Sequence, residues 1–197
     1  MKMQNKQWIA GVFAVAMMMG SVQTGRAAAL KSQSNSIAVD AGREIKIAVN
    51  RGELTIEAGS ESAVSFAVGF KANQDGWFAR KPSEEEIKKS SVSFNSGDGV
   101  LAVFAGERLT ARGTVTVPTG SALTLNVETG VLTIRPRSGR TDAYIETGIV
   151  TYDDGGSAGD SCVDAWVKIG VIEGASGKRC ESPKASLRVE TGTITIL

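Results

Sequence analysis

The chain contains no histidine. That absence removes the Ser-His-Asp and Cys-His nucleophile sets and every zinc or iron site built on imidazole. Cysteine is scarce as well: only Cys162 and Cys180 are present, with no Cys-x-x-Cys pair, so neither a thiolate metal cage nor a dithiol redox motif can be assembled. No apolar run after Leu30 is long enough to cross a membrane. Neither sign of charge dominates, with 22 basic against 21 acidic side chains and a formal net charge of +1. A nucleic-acid binder or a polybasic membrane binder would need a clear excess of base. These absences predict no cofactor, no resident metal, no nucleic-acid partner and no catalytic residue.

What is present begins with an address. Lys2 and Lys6 precede an apolar stretch from Trp8 to Met19, and Ala27-Ala28-Ala29 offers a small-residue cleavage site before Leu30. This pattern predicts a signal peptide over residues 1–29 and an exported protein, in the periplasm, at the cell surface or secreted. Cleavage removes Lys2, Lys6 and Arg26, leaving 168 residues with 19 basic and 21 acidic side chains. That length suits a single domain, residues 30–197.

The strongest positive signal is a repeated phrase. Val127-Glu-Thr-Gly130-Val-Leu-Thr-Ile134 recurs at Ile145–Tyr152, Val167–Gly174 and Val189–Ile196, with glycines 18, 22 and 22 residues apart. A period near 20 residues with internal apolar–polar alternation predicts an all-β fold, a parallel β-solenoid of right-handed coils over residues 119–197. Alternation sends Leu125, Val127, Ala143, Ile145, Ala165, Val167, Leu187 and Val189 inward. Glycine marks the corner, where positive φ is needed. Cys162 and Cys180 are 18 residues apart, close to one coil. Neighbouring coils bring such positions within disulfide reach, and an exported chain favours the oxidised pair.

Residues 36–118 are a less regular β region. Val49–Ile56 already resembles the later repeat. Lys81–Lys89 reads as a short surface helix with Ser83 as N-cap and Glu86 three residues on, a capping box. Ser91–Phe94 and Val100–Phe104 flank a turn over residues 96–99, a hairpin signal. Asn73–Gly76 reads as a turn beside Trp77 and Phe78, an exposed aromatic pair or part of the core.

Two outward columns are predicted from the repeat. Glu128, Glu146, Lys168 and Glu190 share one position, with Lys168 expected between Glu146 and Glu190. They form a surface ion ladder, or else a carboxylate pair for polysaccharide hydrolysis, since adjacent rungs sit near the spacing that a retaining pair needs. Asn126, Tyr144, Trp166 and Arg188 share the other position. Stacked Tyr144 and Trp166 would offer a flat platform for a sugar ring or a peptide. The acid- and glycine-rich loop 153–161 could hold calcium but lacks the tandem nonapeptide spacing. Ile194–Leu197 is expected to end the stack as an open apolar edge, a surface for homo-oligomer pairing.

With Asn50-Arg-Gly52-Glu-Leu-Thr-Ile56, the Glu84–Lys89 helix, the hairpin at Asp98-Gly99, Val115-Thr-Val-Pro118-Thr-Gly120 and the Thr-Gly coils in that order, the chain resembles the bacterial putative-adhesin families of exported β-strand-repeat domains. The resemblance covers most of residues 30–197. It implies β-solenoids of the cell surface or envelope with no established catalytic residues to carry over. The scarcity of apolar residues in the helix and the acid-rich insert at 153–161 depart from it. The expected function is a non-catalytic envelope protein, an adhesin or interaction module for a glycan or protein. A polysaccharide-active enzyme and a structural subunit of a homo-oligomer are the alternatives.

Overall fold

The computed structural model describes residues 29–60, 62–73, 81–155, 162–174 and 183–197. The predicted signal peptide, the turn after Asn73 with Trp77 and Phe78, most of the 153–161 loop, and Cys180 lie outside these residues.

The all-β expectation holds. Ten strands form one sheet: β1 (Lys31–Ala38), β2 (Ile45–Gly59), β3 (Ala63–Ala72), β4 (Ser91–Asn95), β5 (Val100–Phe104), β6 (Leu109–Pro118), β7 (Leu123–Ile134), β8 (Thr141–Tyr152), β9 (Val163–Glu173) and β10 (Ala185–Ile196). The single helix among the described residues, α1 (Glu84–Lys89), has the predicted capping box: the Ser83 hydroxyl accepts from the Glu86 amide, and the Glu86 carboxylate accepts from the Ser83 amide. That second bond is the main reason the Glu86 carboxyl is held below its ordinary pKa. No described helix is long and apolar enough to cross a membrane.

The repeat builds a stack of cornered rungs. In β7 the buried residues are Leu123, Leu125 and Val127, then Leu132 and Ile134. The phase of burial slips by one across Thr129-Gly130-Val131, so the strand turns and both arms face one core. β8 buries Ala143, Ile145, Val150 and Tyr152 in the same way, and β10 buries Leu187, Val189, Ile194 and Ile196. β2 does so too, with Ile45, Ile47, Val49, Leu54 and Ile56, and it pairs with β7 in parallel with Gly52 opposite Gly130. The first rung of the ladder is therefore β2, far upstream of the regular repeats.

At each corner, glycine meets glycine. Gly130, Gly148, Gly192 and Gly170 have φ of 156°, 153°, 147° and 146°. A Cβ placed on any of them would fall on a carbonyl oxygen of the neighbouring rung: Gly52 below Gly130, Gly130 below Gly148, Gly148 below Gly192, and Gly192 below Gly170. Glycine is thus required twice over, by φ and by the approach of the next backbone. On the other side of β2, one rung is made in two pieces, β5 against Lys46–Val49 and β6 against Gly52–Gly59. β3 and β1 continue the sheet from β6 as antiparallel strands. The predicted hairpin is β4–β5.

The stacking order corrects one expectation. The sheet runs β2-β7-β8-β10-β9, so β10 lies between β8 and β9 and is bonded in parallel to both. Ile194–Leu197 is not an open edge. The edge of the ladder is β9, whose inward residues Ala165 and Val167 are only partly buried, whereas their counterparts Leu187 and Val189 in β10 are fully buried. At this position the larger Leu187 takes the doubly covered place and the small Ala165 the edge, although Val163 of β9 is itself buried.

Candidate functional site

Outward residues inherit the rung order. The register places Asn126 opposite Tyr144, Tyr144 opposite Arg188, and Arg188 opposite Trp166. All four side chains are exposed, Tyr144 at 38% and Trp166 at 50%. The predicted column exists, but its order differs. Tyr144 and Trp166 do not adjoin. Arg188 stands between them, because its strand is inserted between theirs. With about 4.8 Å per rung, the two rings lie two rungs, roughly 10 Å, apart along the stack. A guanidinium can stack on aromatic faces, so Arg188 occupies the gap between the two rings with a side chain compatible with both. Arg188 forms no ion pair with any described residue, which leaves its donors open to a ligand.

The carboxylate column changes in the same way. Glu190, not Lys168, is the middle member, flanked by Glu146 on β8 and Lys168 on β9. Glu190 accepts a hydrogen bond from the Tyr144 hydroxyl at 2.9 Å and pairs with the Lys168 ammonium at 3.9 Å. The ion pair is exposed and worth at most about 1 kcal/mol. Its effect is positional: Glu190 is held by two partners, and the Tyr144 hydroxyl is tethered to it. Two clefts on the described surface are lined by Ala38, Asp40, Arg43 and Ser96, and by Ser83, Glu86, Phe104 and Arg108. Neither of these two clefts includes Glu128, Glu146 or Glu190. Among the described residues, no acidic or thiol cluster could hold a metal. In the 153–155 segment, Asp153 caps the Gly155 amide instead.

No family model matches the chain. No curated protein matches it either. Among solved structures it is similar to a "putative cell adhesion protein" of Clostridium sporogenes, 13% identical with a TM-score of 0.49, covering 84% of this chain and 99% of that one. A "putative adhesin" of Bacteroides fragilis is 10% identical with a TM-score of 0.26, covering 85% and 98%. Another from Parabacteroides distasonis is 9% identical at 0.23, covering 85% and 97%. Likeness at this level carries no assignment, and the family read from the sequence stands as a resemblance.

One buried group escaped the sequence reading. Arg137, in the turn between β7 and β8, is 4% exposed. Its guanidinium donates to the carbonyls of Arg140 (3.4 Å) and Pro118 (3.4 Å), to the Thr141 hydroxyl (3.2 Å), and to the Ser121 carbonyl. Its Nε and the nearby Ser121 hydroxyl have no partner among the described residues. Burial pushes the guanidinium pKa down, and the phenol of buried Tyr152 beside it pushes it back up. Arg137 ties the turn after β6 to the turn after β7. It acts as a structural clasp between those two turns.

The two tyrosines of the chain both titrate late. Tyr144 is raised by its hydrogen bond to Glu190 first, then by desolvation and the Glu146 charge, and Tyr152 is raised chiefly by burial. A raised folded pKa means a contribution present below the ordinary value near 10 and lost as pH climbs through the folded one. Tyrosinate absorbance of the folded protein should therefore show no ionisation at the ordinary position. Glu190→Gln should bring one of the two tyrosines back toward it. Two tyrosines titrating normally in the parent protein would contradict the Tyr144–Glu190 bond.

Proposed function

We propose that this protein is an exported, non-catalytic interaction module of the cell envelope, an adhesin-type domain that binds an envelope or surface glycan or protein through the outer face of its rungs. The observation that carries this reading is the exposed strip Asn126–Tyr144–Arg188–Trp166, in register along one face of the ladder. Stacked rings with a free guanidinium between them suit a sugar chain or an extended peptide laid across the rungs. Export rests on the leader at residues 1–29. The five cornered, in-register rungs support treating residues 30–197 as one domain containing a right-handed β-solenoid. Cys162, immediately before β9, is read as the disulfide partner of Cys180.

The test is direct binding of the purified protein to a panel of envelope polysaccharides, peptidoglycan fragments and surface proteins. Tyr144→Ala and Trp166→Ala should each weaken binding about threefold to tenfold while the protein stays folded, as circular dichroism would show. Turnover of any polysaccharide that disappears in Glu146→Gln would overturn the non-catalytic reading. Binding indifferent to both aromatic substitutions would remove the strip as the site.

A further inference from the structure

β9 is the exposed end of the parallel ladder. It bonds to β10 on one side, and among the described residues nothing pairs with its other side. It also carries three of the most exposed large apolar side chains of the described chain: Trp166 at 50%, Val171 at 54% and Ile169 at 62%. In place of the Glu-Thr-Gly of β7, β8 and β10 it reads Lys168-Ile-Gly170. A strand edge of this length with such exposed apolar side chains is a template for another strand, and its charges, Asp164 and Lys168, select the partner.

We infer that β9 pairs with the β9 of a second copy, antiparallel, across a two-fold axis at Trp166. The sequence Asp164-Ala-Trp166-Val-Lys168 is self-complementary in that arrangement. Asp164 faces the second copy's Lys168, and Lys168 faces its Asp164. Trp166 meets Trp166, Ala165 meets Val167, and Val163 comes opposite Ile169. Opposite charges and aromatic pairs directly across an antiparallel ladder stabilise it, while like charges there destabilise it. Within this five-residue segment the other axes are worse. Axes at Asp164 or Lys168 set like charges against each other, and axes at Ala165 or Val167 pair neither acid with base. Such a contact is isologous and closes on itself, so it yields a dimer rather than a fibre. It also joins two strips end to end, so that Asn126–Tyr144–Arg188–Trp166 continues into its copy without a break. The pairing does not depend on the proposed ligand, because each strip exists within one chain.

Sedimentation of the full chain over a wide concentration range tests this pairing. A dimer is expected. Asp164→Lys and Lys168→Asp should each weaken it about tenfold or more, and the double exchange should restore it. Thermal melts of the same variants check that the fold survives, since Lys168→Asp also places an acid beside Glu190. A second arm is independent of charge: Trp166→Cys should cross-link into a covalent dimer on oxidation, because directly opposed Cα atoms lie within disulfide range, whereas Val171→Cys should not. A monomer at every concentration, a dimer that the charge exchange neither breaks nor restores, or a Trp166→Cys protein that does not cross-link would each overturn the pairing.

Discussion

Gly148→Val is expected to lower stability by about 2–6 kcal/mol. Two costs add. A φ of 153° is a conformation that a β-branched residue rarely adopts, at about 1–3 kcal/mol. The new Cβ also falls on the carbonyl oxygen of Gly130, which belongs to the backbone of the rung beneath and cannot swing aside as a side chain would. Overpacking of that kind costs about 1–3 kcal/mol more. For a chain of this size the melting temperature should drop by roughly 4–24 °C. Gly120→Ala is the matched control, since a Cβ there meets nothing within 4 Å, and it should stay within about 0.5 kcal/mol of the parent. Gly52→Ala should fall between the two: its Cβ would approach the Ala111 oxygen at 3.0 Å, tight but open to small adjustment. If Gly148→Val melts like the parent, the corner is not built as described.

Arg137→Ala should cost about 2–4 kcal/mol. The desolvated guanidinium is itself expensive, and among the described residues no carboxylate pairs with it. What retains it is a set of four acceptors, the carbonyls of Pro118, Ser121 and Arg140 and the Thr141 hydroxyl. Each bond to a charged donor is worth more than a neutral one, and losing the donor strands buried acceptors. Arg137→Lys should recover little, because a single ammonium cannot reach carbonyls on both turns in the way that a planar fork does. Arg137→Met keeps the bulk without the donors and so separates packing from hydrogen bonding. Urea midpoints at constant slope would measure all three. An alanine variant as stable as the parent would mean that desolvation cancels the bonds.

Much of this architecture could be read from residue order, and the reason is periodicity. Leu125, Val127, Ile145, Leu187 and Val189 are inward as alternation demands, and the corner glycines fall where the repeat places them. Local signals also held for Ser83 and Glu86, because a capping box is complete within four residues. Stacking order was not legible. β9 and β10 follow their predecessors at equal glycine spacing, and either could sit on β8. A clue was present in Lys168-Ile169, where β9 departs from Glu-Thr, and in the small Ala165. The error displaced Lys168 and Trp166 together: both were expected inside their columns, and both stand at the edge. Arg137 was invisible for another reason. An arginine among Pro136, Ser138 and Gly139 reads as a solvated loop residue, and only the return of the Pro118–Ser121 turn buries it.

The insertion of β10 also dictates an order of events. β9 leads β10 along the chain yet bonds to nothing else in the described sheet, so it has no rung to rest on until Ala185–Ile196 has docked on β8. The ladder cannot zip up in the order in which it is synthesised. Closure of the core waits for the final strand, and until then Trp166, Ile169 and Val171 belong to an unanchored segment. A chain cut before Ala185 should lose two rungs rather than one.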